Sequence, residues 1–232
     1  MPTNSELFLN WLVRWEAELP VVEWESVVAD PARAALVVVD LTKAFVEQGP
    51  LASPRVAGIV PAAVRLLRRA HELGVRHFLL PQDAHREDAI EFSAYPPHAL
   101  ADSEESQTIN ELRALPFADH FVTMPKNSIS CSIGTDLGPW LEAHQEVDTF
   151  IILGDCTDIC IYQAAMYLRM RANVLALHDV RVVVPAAGVQ TYDLPIAAAE
   201  QAGAMPHDGD LLHRIFLYHM ALNGVEVVAD IR

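Results

Sequence analysis

Short runs of apolar residues, many of them β-branched, recur along the chain at the length of buried β-strands. The pattern predicts six strands, at residues 35–41, 77–81, 120–124, 149–153, 174–177 and 225–229. Helical patterns lie between most of these runs, most clearly at residues 59–73, 104–115, 135–144, 157–170 and 209–222. Because strands and helices alternate, we expect a three-layer α/β/α fold in which helices cover both faces of a mainly parallel six-stranded sheet.

The start of the chain differs from the rest, and we predict a helical arm at residues 1–33 followed by one α/β domain at residues 34–232. Residues 1–18 form an amphipathic pattern broken by charges, unlike the basic and then apolar order of a secretion signal. No stretch approaches the roughly 18 apolar residues of a membrane span. We therefore expect a cytoplasmic protein without a membrane partner. The tryptophans of the arm indicate that it is buried, either against a neighbouring subunit or against its own sheet.

The charge balance excludes one class of partner. The chain has 16 Lys and Arg against 31 Asp and Glu, and its net charge of -15 would repel phosphate backbones and anionic lipid. A nucleic-acid partner is therefore not expected. The three cysteines, Cys131, Cys156 and Cys160, form an odd set in the second half of the chain. They do not resemble a disulfide framework and fit a reducing compartment.

Three predicted strands are followed by side chains capable of chemistry, at the sheet edge where α/β proteins carry their active sites. Asp40 ends ALVVVD, Lys126 ends HFVTMPK, and Cys160 ends TFIILGDCTDIC. A cysteine nucleophile needs its pKa lowered from about 8.5, which a helix N-terminus and a nearby cation can achieve. With Thr157 or Asp158 as the N-cap, Cys160 would lie in the first helical turn, and Lys126 could supply the positive charge. Asp40 could then accept the thiol proton and return it to a leaving amine.

Each of these residues also has a plain structural interpretation. Aspartate often follows a parallel strand because it caps a loop. Cysteine is among the most buried residue types without being reactive, and lysine usually lies on the surface. The spacing alone therefore leaves both interpretations open.

The segment at residues 82–98, QDAHREDAIEFSAYPPH, is rich in carboxylates and contains two imidazoles. Oxygen and imidazole ligands together suit zinc, iron or manganese, and the lack of cysteine argues against a closed structural zinc site. Such a mixed site would keep positions open for water or substrate. A polar surface loop could have the same composition, so the segment alone leaves this question open too.

Together these motifs resemble the isochorismatase-like cysteine hydrolases. Asp40, Lys126 and Cys160 stand in the order and strand positions of the Asp, Lys, Cys triad of that family. GDCTDIC at residues 154–160 closely matches the family's stretch that ends at the nucleophile. The resemblance runs from about residue 34 to the C-terminus. It implies the Rossmann-like fold of the family and a homo-oligomer.

Within the family, the chain most resembles the metal-dependent nicotinamidases. The DAH, E and YPPH residues of segment 83–98 are similar to their metal loop. TYDLP at residues 191–195 and the region at residues 207–228 look like the plant-type branch. One departure is DLTKAF at residues 40–45, which retains only the first aspartate and the phenylalanine of the family pattern, and the metal loop is also short.

The resemblance assigns roles to the triad. It makes Cys160 the nucleophile, Asp40 the proton acceptor and donor, and Lys126 the positive partner of both. It also implies a cis peptide bond between Asp155 and Cys156, with the amides of Cys156 and Cys160 forming an oxyanion hole. Cys156 would then be structural.

The same comparison implies one divalent metal ion, with zinc preferred and iron or manganese as alternatives. Its ligands would be Asp83, His85, Glu91 and His98. In the family, the metal holds the pyridine nitrogen, so it would orient a substrate ring. Phe45 and Tyr95 match the aromatic residues that enclose the ring, although both could equally be core residues.

The leading hypothesis is hydrolysis of nicotinamide to nicotinate and ammonia through a thioester at Cys160. A first alternative is a cysteine hydrolase of another small amide, such as a carbamoyl or pyrazinamide-like compound, for which the metal is dispensable. A second alternative is an isochorismatase-type enzyme or a non-catalytic binding protein. True isochorismatases lack the nucleophilic cysteine, which this chain has.

Overall fold

A parallel β-sheet forms the centre of the computed structural model, which describes residues 3–232. In chain order the strands are β1 Val21–Val22, β2 Ala34–Val39, β3 His77–Asp83, β4 Phe121–Lys126, β5 Thr149–Asp155, β6 Arg181–Pro185, β7 Val189–Gln190, β8 Glu226–Val228 and β9 Asp230–Ile231. The main sheet has the order β4-β3-β2-β5-β6-β8, and β7 pairs with the end of β5. Every pair of strands in the sheet is parallel.

Helices cover both faces of the sheet. They are α1 Asn4–Ala17, α2 Trp24–Val27, α3 Lys43–Val46, α4 Pro54–Ala57, α5 Val60–Leu73, α6 Asn110–Arg113, α7 Leu137–Ala143, α8 Cys160–Val174, α9 Ile196–Ala202 and α10 Gly209–Leu222. Alternate residues of β2 belong to two separate cores, with Leu36 facing the core that contains α5 and Val37 facing the core that contains α7, α8 and α10. This explains the continuous apolar run of β2, because a central parallel strand is buried on both sides.

The predicted three-layer α/β/α fold with a mainly parallel sheet is confirmed. The six strands of the main order match the expected number, and the two-residue β7 is the additional strand in the described sheet. One predicted strand is wrong. Residues 174–177 lie at the end of α8 and in the following turn, where Val174 is 82% exposed. The strand that takes this place in the sheet is β6, the largely buried RVVVP run that begins four residues later. The helix predicted at residues 104–115 is also shorter, since only α6 is formed there.

The arm that precedes β2 packs against its own domain. Three aromatic rings of α1 lie within 5.5 to 5.8 Å of the Tyr218 ring on α10, and Glu16 accepts a 2.6 Å hydrogen bond from Arg214. β1 pairs with β9, and Trp24 is buried in the core. The arm therefore contacts its own chain, while the division at residue 33 stays a prediction, and the first two residues of the predicted arm lie outside the described part. Within residues 3–232, no helix combines the length and the apolar character needed to cross a membrane.

Candidate active site

Four side chains converge at the carboxyl edge of neighbouring strands. Asp83 and Lys126 are the last residues of β3 and β4 and stand opposite each other in the ladder, Asp40 follows β2, and Cys160 begins α8 after β5. Lys126 Nζ lies 2.8 Å from Asp40 Oδ2, 2.5 Å from Asp83 Oδ1 and 3.6 Å from Cys160 Sγ. The structure thus brings together the three residues that the sequence singled out.

Lys126 lies at the centre of this group and is fully buried. Burial alone would lower the pKa of its ammonium group, but the charges of Asp40 and Asp83 outweigh burial and raise the pKa well above its ordinary value. The lysine is therefore charged, and it also donates to the Ser128 carbonyl at 3.3 Å. A buried cation with two carboxylates and a thiol around it sets the electrostatic potential of the whole site.

Asp40 is held in a defined orientation. Its backbone has φ 54°, a left-handed conformation that aspartate tolerates better than most side chains. Its Oδ1 accepts a 2.8 Å hydrogen bond from the Asp83 amide, and Oδ2 faces Lys126. Burial and the negative charge of Asp83 raise the pKa of Asp40 to about 6, against the opposing effect of Lys126. A carboxyl group with this pKa can accept and release a proton near neutral pH.

Cys160 is the first residue of α8, as expected, but the predicted cap is wrong. The N-cap residue is Ile159, which makes no side-chain cap. Thr157 instead hydrogen-bonds His213 at 2.8 Å, and Asp158 lies 2.8 Å from His207 Nε2. These two polar residues therefore tie the loop to the C-terminal part of the chain.

The sulfur of Cys160 is a buried thiol. Burial raises the pKa of Cys160 well above its ordinary value, and the charge of Lys126 opposes this increase. The expected lowering of the pKa by the helix and Lys126 is thus outweighed by burial in this structure. Such a thiol becomes a nucleophile only when a neighbouring base takes its proton, and Asp40 contacts the same lysine ammonium group as the thiol does.

The loop between β5 and α8 supplies free backbone donors. The peptide bond between Asp155 and Cys156 is cis, as the sequence resemblance implied. Gly154 has φ 115°, and a side chain there would overlap the carbonyl of Val39 on the adjacent strand, so only glycine fits this close approach. In the described backbone, neither the Cys156 amide nor the Cys160 amide donates to a loop or cap hydrogen bond. Both remain available to an oxyanion.

Asp83, His85 and His98 form a buried group in which one potential ligand atom from each lies within 4.8 Å of the others. The Nδ1 atom of His98 lies 2.8 Å from the Pro96 carbonyl, so this nitrogen carries the proton and Nε2 is left with its lone pair facing Asp83. Both ring nitrogens of His85 are buried, and among the described residues neither makes a hydrogen bond of good geometry, although Nε2 lies 3.3 Å from Asp83 Oδ1. Free imidazole lone pairs beside a carboxylate fit a divalent metal ion.

Glu91, the fourth expected ligand, lies outside this three-residue group. Its carboxylate accepts a 3.0 Å hydrogen bond from the Ile129 amide, and its side chain borders the same cavity. Its assignment as a metal ligand stays a prediction.

One cavity borders both the Cys160 thiol and the metal-ligand group, which it reaches through Asp83 and His98. Phe45 and Tyr95, the expected aromatic residues, both line it, and their ring centroids lie 5.6 and 6.3 Å from that of His98. Sequence reasoning missed further lining residues, namely Leu51, Ile129, Asp155, Ile159 and Tyr192. The sequence held a signal for two of them, because Tyr192 belongs to the TYDLP motif and Asp155 precedes Cys156 in the cis peptide bond that the resemblance implied.

A parallel α/β sheet with a buried cysteine, a carboxyl group and a lysine at its carboxyl edge defines the class of α/β cysteine hydrolases. The isochorismatase domain model matches residues 34–206, and the chain belongs to this family. The family resemblance that the motifs indicated is confirmed.

Similar proteins include enzymes with amide substrates in their names. Nicotinamidase 1 of Arabidopsis thaliana is 28% identical over 248 aligned positions, which cover 98% of each chain. A cysteine hydrolase structure from Pseudomonas syringae has 26% identity and a TM-score of 0.69, covering 90% of this chain and 93% of that one. A nicotinamidase structure from Bacillus subtilis has 22% identity and a TM-score of 0.67, covering 84% and 99%, and supports the fold.

Proposed function

We propose that this protein hydrolyses nicotinamide to nicotinate and ammonia, with Cys160 as the nucleophile. The observation that supports the proposal best is that one cavity is bordered by Cys160 and Asp40 and also by Asp83 and His98, two members of the candidate metal-ligand group. The similarity to a plant nicotinamidase over nearly the whole chain agrees with it. A solved pyrazinamidase from Pyrococcus horikoshii, which shares the fold, is described as a zinc complex.

The reaction would begin with proton transfer from Cys160 to Asp40 as Sγ attacks the carboxamide carbon. The carbonyl oxygen would become an oxyanion that accepts hydrogen bonds from the amides of Cys156 and Cys160. When this intermediate collapses, the C–N bond breaks, Asp40 returns the proton to nitrogen and ammonia leaves a thioester on Cys160. Water then attacks the thioester, with Asp40 as its base, and nicotinate and the free thiol are released. Lys126 would stabilise the negative charge, both when it lies on Asp40 and when it lies on the Cys160 sulfur.

The residues on the other side of the cavity would bind the pyridine ring of the substrate. Asp83, His85 and His98 would hold a divalent ion, with Glu91 as a further ligand, and the bound ion would take the pyridine nitrogen as a ligand. Phe45 and Tyr95 would pack against the ring, since both border the cavity. Nicotinamide would thus be held at its ring nitrogen and attacked at its carboxamide.

Nicotinamide and benzamide together test this assignment, because benzamide has the same carboxamide but no ring nitrogen. We expect zinc-loaded enzyme to release ammonia from nicotinamide much faster than from benzamide. His98→Ala should lose most of this preference, while His178→Ala, at an exposed histidine, serves as the matched control and should keep it.

Two results would contradict the proposal. The first is no ammonia from nicotinamide with the metal-loaded protein. The second is full activity of His98→Ala or of metal-free enzyme, which would favour a cysteine hydrolase of another small amide that does not need the metal.

A further inference from the structure

The cavity contains one carboxyl group that the proposed reaction does not use. Asp155, the last residue of β5, is fully buried and borders the cavity together with Cys156 and Cys160. Its Oδ2 accepts only from the Cys156 thiol at 3.5 Å, and its Oδ1 has no hydrogen-bond partner among the described residues. A buried polar atom without a partner is rare in folded proteins, because no hydrogen bond compensates the loss of its contact with water. An apolar side chain would avoid this desolvation penalty, so the unpartnered oxygen of Asp155 indicates that a ligand hydrogen-bonds it.

Asp155 and Asp40 line the same cavity. Val39 pairs with Gly154 at the end of the ladder between β2 and β5, and Asp40 and Asp155 are the residues that directly follow this pair at the carboxyl edge. The electrostatic effects agree, since burial and the nearby charge of Asp40 both raise the pKa of Asp155. Asp155 therefore lies at the end of the cavity where the carboxamide reacts, next to the group that serves the leaving nitrogen.

The chemistry of a primary carboxamide matches this position. Its nitrogen carries two N–H donors and departs beside Asp40 in the proposed reaction. The oxyanion amides are donors themselves and cannot accept either N–H. A carboxyl group keeps an acceptor oxygen whether it is neutral or ionised, so Asp155 can accept an N–H in both forms.

We propose that Asp155 accepts an N–H of the substrate carboxamide and thereby selects primary amides over esters of the same acid. This inference rests on the proposed amidase function and deepens it. A site built to hydrogen-bond an N–H discriminates strongly against a substrate that lacks it, because the buried acceptor is then left unpaired. Asp155 would thus be a specificity-determining residue at the leaving-group side.

Paired measurements on nicotinamide and methyl nicotinate test the proposal. Both substrates share the ring and the acyl group, and only the amide has N–H donors. In Asp155→Val we expect kcat/KM for nicotinamide to fall about tenfold or more, the usual effect of losing one buried hydrogen bond at a reacting group. The value for methyl nicotinate should stay the same or rise. Asp155→Asn keeps a carbonyl oxygen in a side chain of the same shape, and should retain most of the amide preference.

Gln82→Leu is the matched control, because Gln82 is also a buried polar residue with an unpartnered atom at the edge of the sheet. It hydrogen-bonds Thr108 and does not border the cavity, so the ratio of amide to ester rates should be unchanged. Methyl nicotinate turnover shows that each variant is folded.

Three outcomes would overturn the inference, and they are distinguishable. An unchanged ratio in Asp155→Val, with a normal wild-type rate on nicotinamide, overturns the role of Asp155 alone. An equal loss on both substrates shows that the residue is structural. No ammonia from nicotinamide with the wild type overturns the proposed function, and the assignment of Asp155 falls with it.

Discussion

Replacing Lys126 with methionine should strongly destabilise the protein. The substitution keeps the length of the side chain and removes its charge, which contacts Asp40 at 2.8 Å and Asp83 at 2.5 Å. Both carboxylates are buried, with exposed fractions of 1% and 2%. Without the lysine, two neighbouring negative charges remain in the interior with no cation to compensate them, and one must be protonated at neutral pH for the protein to stay folded.

The size of the effect follows from the burial of the group. Removing one partner of a buried ion pair typically costs about 3–5 kcal/mol, because the other charge is left uncompensated. For a chain of this size, each kcal/mol lowers the melting temperature by about 2–4 °C, so Lys126→Met should lower it by about 6–20 °C at pH 7. Calorimetry or thermal unfolding followed by circular dichroism measures this directly.

Lys43→Met provides the control. Lys43 pairs with Glu104 at 2.6 Å, but the glutamate side chain is 63% exposed. Ion pairs with an exposed partner contribute about 0–1 kcal/mol, so this variant should melt within about 4 °C of the wild type. The reasoning is refuted if Lys126→Met melts no lower than Lys43→Met.

Three further outcomes are expected. Burial lowers the pKa of His213 from 6.5 to about 4, so the unfolded chain binds more protons than the folded chain between these pH values. The free energy of unfolding should therefore fall as the pH drops from 6.5 towards 4. Urea unfolding at several pH values should show a smaller fall in His213→Gln. Gly154→Ala should lower the free energy of unfolding by more than about 4 kcal/mol or prevent folding, because the new side chain overlaps the adjacent strand. Gly203→Ala is the control, because a side chain there meets no atom within 4 Å. It should stay folded, with a higher soluble yield and melting temperature than Gly154→Ala. His98→Ala should weaken zinc binding by at least about tenfold in a chelator competition, and Glu91→Gln should weaken it as well; an unchanged zinc affinity in Glu91→Gln would remove Glu91 from the proposed ligand set.

The fold was largely predictable because apolar periodicity directly reports burial. The central strands are buried on both faces, and their continuous runs mark them clearly, as in β2 and β5. The wrong strand at residues 174–177 arose because short apolar runs have no distinctive period. Val174 and Leu175 belong to a helix end that faces solvent, and only the tertiary structure shows this.

The order of the triad along the chain was predictable, but its electrostatics were not. That Lys126 contacts Asp83 as closely as Asp40 depends on the ladder between β3 and β4, which sequence spacing does not report. Burial of the Cys160 thiol likewise raises its pKa, where local arguments from the helix start and the lysine pointed to a lower value. Asp155 was missed because its importance comes from its neighbour across the sheet.

The central claim is that Cys160 attacks the amide, and comparison of two buried cysteines tests it most directly. Cys131 lies in the same core, with its Sγ 3.7 Å from the Cys160 carbonyl, and burial raises its pKa to about 12. Ammonia release from nicotinamide should fall to the uncatalysed background in Cys160→Ala and remain close to the wild-type rate in Cys131→Ala. Ammonia release that persists in folded Cys160→Ala would contradict the account.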